Sequence, residues 1–486
     1  MSDPQQLSLE EAYGLILTKS KDELRAVARS APAQSPAKLL LEGQVARGDG
    51  DVDRSLALMY QAYQSAPADE RVFVANFIAP IHVMRTDFEA LDEILDRTAR
   101  WDRIPGSKQS FESLLAAGRN DARGSQQLRA AALRDLDYGA DEATRGRALQ
   151  RLALSAYMTG DTADAMNLSL LAARSAIAGG DYQNAAAAYS IAYSLEGTAG
   201  NTDLAYELAG RVVEASRRAG DESFEIGAMA AQCEIAAEHG DAEMLKRHRD
   251  EVLVRALPEQ YHFRFILTLS ELLFSSWMHE FAAARASAAV LADVAGEGRG
   301  ERAISLALIS LIALADGDDA TARASARRAL SVSTALRGEI LPPYEIRNVA
   351  VARALAATAC VLMGDELRGR RALAVRSLAP YAIARDLTAV LAGRHWEDVP
   401  QRSRGFARLV AAVRDAMARR RRGLLTPAEL EVLKMLADGQ TAGEIAARTK
   451  RSVNTIRAHR NAILAKLDAK TTLEAINVAR RAGFVT

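Results

Sequence analysis

No G-x-x-x-x-G-K-[ST] run occurs in this sequence, and no glycine is followed by lysine, so no P-loop is available to cradle a nucleotide. Strand patterns do not alternate with helical ones near the N-terminus, which excludes a phosphorylatable receiver domain there. His82, His239, His248, His262, His279 and His395 are scattered, with no metal-ligand spacing and no nucleophile nearby. Neither a metal nor a cofactor site is therefore expected, and the chain is not expected to be an enzyme. Cysteine is scarce: Cys233 and Cys360 stand far apart in apolar helical contexts, which excludes a disulfide or zinc framework and leaves inert buried thiols. Long hydrophobic runs are also lacking. The segment 303–315 is almost wholly apolar but only thirteen residues long, too short to span a bilayer, and reads as a buried helix. The first six residues have no basic head followed by an apolar run, so a cytoplasmic protein without a membrane partner is expected.

Aromatics make up only 5% of the chain, alanine is abundant, and no proline falls between Pro105 and Pro258, a composition that favours helices over a parallel sheet. Gly160-Asp161, Gly180-Asp181, Gly200-Asn201, Gly220-Asp221 and Gly240-Asp241 recur every twenty residues. Glycine accepts the left-handed conformation past a helix end, and the aspartate or asparagine caps the next helix. The spacing thus predicts helices of about sixteen residues joined by two-residue turns. Ala165, Ala185 and Ala205 follow the first three pairs at a fixed offset, as expected where helices approach closely. Related junctions are read at Gly48-Asp49, Gly317-Asp318 and Gly364-Asp365, with Ala322 at the same offset from Gly317. Two helices make a repeat of about forty residues, extending over residues 35–395, and a solenoid of such repeats grows without needing one large core. One segment concentrates aromatics, and Tyr261, Phe265, Phe274 and Trp277 in it form a candidate ligand pocket, although an aromatic helix pair is more often core.

The charge is divided along the chain. From Arg402 onward there are 18 Lys and Arg against 7 Asp and Glu, a net of +11, which leaves 44 against 55, a net of −11, for the first 401 residues. Arg419-Arg420-Arg421-Arg422 stands before a series of helix-start signals. Thr426-Pro427-Ala428-Glu429 places a capping hydroxyl, a first-turn proline and a returning carboxylate, and Thr441-Ala442-Gly443-Glu444 and Thr471-Thr472-Leu473-Glu474 repeat the box. Ser452 caps a helix from about Val453 to Leu467, on which Ile456, Ile463, Leu464 and Leu467 point inward. Asn454, Arg457, Ala458 and Asn461 recur at i, i+3, i+4, i+7 spacing and project together. Such a face suits a major groove: an arginine fork matches guanine, asparagine matches adenine, and alanine meets a thymine methyl. Arg420, Lys450, Arg451, Thr455, His459, Arg460 and Lys466 are the candidate phosphate contacts.

The run Leu425-Thr426-Pro427-Ala428-Glu429-Leu430-Glu431-Val432-Leu433, then Glu444-Ile445-Ala446, then Asn454-Thr455-Ile456-Arg457-Ala458-His459, resembles the LuxR-type C-terminal DNA-binding domain, over residues 424–486 only. The Gly-Asp-x-x-x-Ala signature is similar to the tetratricopeptide type, particularly the longer repeats of MalT-like regulators, without the ATPase motif those regulators carry. The LuxR resemblance implies base reading through Arg457, Ala458 and Asn461 and a dimer contact by the fourth helix on paired half-sites. This chain departs in the turn, where Thr449-Lys450-Arg451 replaces the family's Leu-Gly-Ile. Lys450 would then hold a left-handed backbone at a cost of order 1 kcal/mol. The expected fold is all-α: a tetratricopeptide-like helical-repeat solenoid over 1–400, a basic linker over 401–423, and a four-helix DNA-binding domain over 424–486. The implied function is a sequence-specific transcription regulator whose repeats sense a protein, peptide or small-molecule effector. It would bind double-stranded DNA as a homodimer, with RNA polymerase a further partner. The alternative is an interaction scaffold whose C-terminal module serves mainly for dimerisation.

Overall fold

A computed structural model of the chain describes residues 7–136, 140–199, 201–255, 261–294, 299–335, 343–373, 383–399, 401–467, 469–481 and 485. All regular elements among the described residues are helices. The chain divides into two compact units, one made of Met1–Ile235, Arg247–Ala256 and Glu339–Pro343, the other of Ala236–Lys246, Leu257–Gly338 and Tyr344–Thr486.

The glycine-aspartate pairs are tight joints between consecutive helices. Gly160, Gly180, Gly220 and Gly240 have φ of 80°, 78°, 68° and 71°. At the first of them the Asp161 N–H donates to the Ala156 carbonyl (2.9 Å), closing the finished helix, while the Asp161 carboxylate accepts from the Asp164 N–H (3.3 Å), opening the next. Asp181, Asp221, Asp318 and Asp365 do the same. Gly200 lies outside the described residues; Asn201 heads its helix without a side-chain cap, its amide donating instead to Glu196 (2.6 Å). The first expected junction is displaced by two residues: Gly48 ends a helix, whereas Gly50, with φ of 85°, makes the turn and Asp51 caps. Three joints escape the glycine signal because Thr86, Asn120 and His279 occupy the left-handed position, with φ of 55°, 61° and 60°. Ala165, Ala185, Ala205 and Ala322 are completely buried, as their spacing requires.

In the first unit the helices Pro36–Gly48 and Val52–Ser65, Glu142–Met158 and Thr162–Ala178, and Tyr182–Ala199 and Thr202–Ala219 pair in sequence order. One apolar cluster there includes Leu40, Met59, Phe77, Ile78, Leu91 and Phe111. Buried guanidinium groups there have partners: Arg147 meets the Asp181 carboxylate at 2.6 Å, and Arg151 donates to Asn76 (2.9 Å) while lying over the Phe111 ring. Cys233 is fully buried, and burial pushes its thiol up to about 12, the state of an inert thiol.

The second unit holds the main departure from the sequence reading. The stretch expected as a linker is a single helix, Gln401–Leu424. Its basic residues hide an apolar stripe: Phe406, Leu409, Val410, Val413 and Met417 are buried, and the helix packs against Tyr261–Trp277, Arg299–Asp316 and Ile383–Leu391. The aromatic segment is the seat of this helix rather than a ligand pocket. Phe265 and Trp277 are buried, the Trp277 indole N–H donates to the Gly405 carbonyl (3.2 Å), and the Arg408 guanidinium lies 4.9 Å from the Trp277 ring and 4.8 Å from that of Trp396. Phe274 is half-buried, and the Tyr261 side chain lies outside the described residues. The apolar stretch 303–315 is interior to the buried helix Arg299–Asp316, and no helix among the described residues is long and apolar enough to cross a membrane.

Candidate nucleic-acid interface

Four helices follow in close succession: Pro427–Ala437, Ala442–Thr449, Val453–Lys466 and Thr472–Arg481. The first two begin with reciprocal capping boxes. Thr426 Oγ1 accepts from the Glu429 N–H (3.3 Å) while Glu429 accepts from the Thr426 N–H (2.7 Å), and Thr441 and Glu444 repeat the exchange. Ser452 caps the third helix through the Thr455 N–H (3.1 Å). The fourth start differs slightly from the expected box: Thr471 accepts from the Glu474 N–H (3.1 Å), but the Glu474 carboxylate reaches back one residue further, to the Lys470 N–H (2.8 Å). Between the second and third helices Lys450 has φ 54° and ψ 37°, the left-handed conformation expected of it, and the Arg451 N–H closes the turn on the Ala446 carbonyl (3.0 Å).

Val432, Leu433, Ile445, Ile456, Ile463, Leu467, Ala475 and Ala479 form the core of these helices, joined by Ala418 from the preceding long helix and by Leu425. Ile456 and Ile463 turn the third helix inward. Its opposite side is open: Asn454, Arg457, Ala458 and Asn461 are all exposed and share one face. Lys450, Arg451 and Thr455 are exposed beside them, with Arg451 3.3 Å from His459 Nε2; His459 and Arg460 are half-buried.

Two of the expected phosphate contacts are engaged elsewhere. The Lys466 ammonium donates to both oxygens of Glu429 (2.9 and 2.7 Å), tying the third helix to the first. Burial alone would raise the Glu429 carboxyl, but the Lys466 ammonium and the Thr426 bonds outweigh it and hold it below the ordinary 4.5. Arg420 pairs with Asp319 (3.7 Å) in the helical-repeat part of its own unit and lies where a Cβ on Gly317 would overlap it. Beside it, Arg419 donates to His279 Nδ1 (2.9 Å). The side chains of Arg421 and Arg422 lie outside the described residues. Sequence reasoning missed the Glu429–Lys466 tie because one carboxylate serves as both cap and ion-pair partner, over a separation of 37 residues.

Residues 423–479 match the family described as bacterial regulatory proteins, luxR family. The C-terminal domain is a LuxR-type helix-turn-helix domain. Over 62 residues, 13% of this chain, the sequence is 42% identical to the uncharacterized response regulatory protein YgeK of Escherichia coli strain K12, and it spans 42% of that protein's length. Among solved structures the chain is similar to the apo form of RapI, at 12% identity and a TM-score of 0.49 over 73% of this chain and 98% of that one. It is also similar to the APC/C hetero-tetramer Cut9–Hcn1, at 12% identity and a TM-score of 0.37 over 98% of this chain and 99% of that one. Val453–Lys466, whose polar face is exposed, is the second helix of this domain's helix-turn-helix pair.

Proposed function

We propose that this chain is a sequence-specific DNA-binding transcription regulator whose helical repeats sense a ligand or protein partner. The observation that carries this reading is the exposed set Asn454, Arg457, Ala458 and Asn461 on a helix held rigidly from behind by Ile456 and Ile463. Asn454, Arg457 and Asn461 supply the hydrogen-bonding groups that distinguish base pairs, and Ala458 permits close approach. Lys450, Arg451, Thr455, His459 and Arg460 surround them as phosphate contacts. The protein acts in the cytoplasm as a homodimer on paired half-sites, with RNA polymerase as a further partner.

Selection of genomic fragments by the full-length protein at two salt concentrations tests this reading. A shared paired motif that disappears with Arg457→Ala, and affinity that falls steeply with salt, are the expected results. Salt-insensitive behaviour with no enriched motif would instead identify an interaction scaffold whose C-terminal module dimerises.

A further inference from the structure

In the first unit the helices Val52–Ser65, Arg71–Met84 and Phe88–Arg97 border an open cavity of about 390 Å³, within the size range of small-molecule sites. Two tyrosines wall it, and both rings are locked by their hydroxyls. Tyr60 Oη lies 2.8 Å from Nε2 of the buried His82, and Tyr63 Oη lies 3.0 Å from Thr98 Oγ1, which itself donates to the Ile94 carbonyl. With their polar ends held, both rings are fixed in the cavity wall, Tyr60 half-buried and Tyr63 buried. Ile94 and Ala90 add apolar lining.

The cations at this cavity are not equivalent. At its rim Arg97 is neutralised by Glu93 at 2.6 Å. Among the described residues Arg71 has no carboxylate partner: its Nε–H donates to the Ala66 carbonyl (3.3 Å), and its guanidinium lies over the Tyr63 ring, 5.4 Å from the centroid. A planar guanidinium fixed through Nε and by stacking still offers its terminal N–H groups, the geometry that grips a carboxylate with paired charge-assisted hydrogen bonds.

A second cavity in the same unit, of about 330 Å³, repeats the aromatic wall but not the free cation. Arg211 and Arg218 lie over Tyr189 and Tyr182, 5.8 and 5.3 Å from their centroids, but each is bonded to its own carboxylate, Glu207 at 2.7 Å and Glu214 at 2.9 Å. It is an internal control for what the Arg71 site has in addition.

We propose that the cavity walled by Tyr60 and Tyr63 is an effector site for a small aromatic carboxylate, with Arg71 gripping the carboxylate and the half-buried Tyr60 ring packing against the ligand ring. Only its role as an effector site rests on the sensing function proposed above. Calorimetric titration of the full-length protein with phenylacetate, and with its neutral isostere phenylacetamide, tests the site. Phenylacetate should bind with a dissociation constant below about 1 mM, and phenylacetamide roughly tenfold or more weaker. Arg71→Gln should weaken phenylacetate roughly tenfold to a hundredfold, Arg71→Lys should recover part of that loss, and Arg211→Gln should change nothing. Unchanged helical circular dichroism and melting in the Arg71 variants would separate lost binding from lost folding. An absence of binding heat, or equal affinity in wild type and a folded Arg71→Gln, overturns the site. Binding that leaves DNA affinity unmoved overturns the effector role while the site stands.

Discussion

The helices Gln401–Leu424 and Val453–Lys466 are both basic, amphipathic and close in sequence, yet they use their cations differently. On the first, Arg408 is sandwiched between Trp277 and Trp396 and donates to the Gly240 carbonyl (2.8 Å), Arg414 donates to the Val390 carbonyl (2.9 Å), and Arg419 and Arg420 meet His279 and Asp319. On the second, Asn454, Arg457 and Asn461 face solvent, while Lys466 is committed inward. Positive charge alone therefore does not mark a nucleic-acid surface. The partners opposite each cation decide whether it fastens a helix to its own protein or is left for a ligand.

The contrast can be broken most forcefully from the fastened side. Trp277→Ala removes a buried indole that holds Gly405 and Arg408, and should destabilise the second unit by about 3–5 kcal/mol, measured by chemical denaturation. On the open side, Arg457→Ala should leave melting unchanged and cost about 1–3 kcal/mol of DNA binding, with one base preference relaxed in a selection experiment. The double variant His279→Ala, Asp319→Ala converts fastened cations into free ones. DNA affinity should then rise at low salt, and the slope of log K against log salt should steepen by about 0.9 for each arginine that gains a phosphate. If the slope is unchanged, Arg419 and Arg420 serve the fold alone.

Smaller effects test the helix-turn-helix domain itself. The folded-state Glu429 carboxyl titrates below its ordinary 4.5, so its contribution to stability is complete above that value and is lost as pH falls through the lowered one. Glu429→Gln should therefore flatten the acid side of the domain's melting curve against pH. Lys450→Gly relieves a left-handed lysine and should add up to about 1 kcal/mol of stability while weakening DNA binding slightly through the lost cation. A Lys450→Gly variant less stable than wild type would show that the lysine side chain contributes more to the turn than its backbone costs.

The joints and caps were legible in the sequence because each is a bargain among residues a few positions apart. Glycine permits the turn, aspartate or threonine satisfies the next helix's free N–H groups, and neither needs a distant partner. The same locality made the Asn454, Arg457, Ala458 and Asn461 face readable from helical periodicity, whereas the left-handed turn at Lys450 was implied by the resemblance, through the glycine the family has there. Where another residue can adopt that conformation, as at Thr86, Asn120 and His279, the signal disappears although the joint remains. Only tertiary structure decided that residues 401–423 are a packed helix, that Trp277 is its seat, that Lys466 ties two helices together and that Arg420 faces Asp319. Each of those depends on which surfaces meet across long stretches of chain, and the free energy of such burial and pairing belongs to the contact rather than to either segment alone.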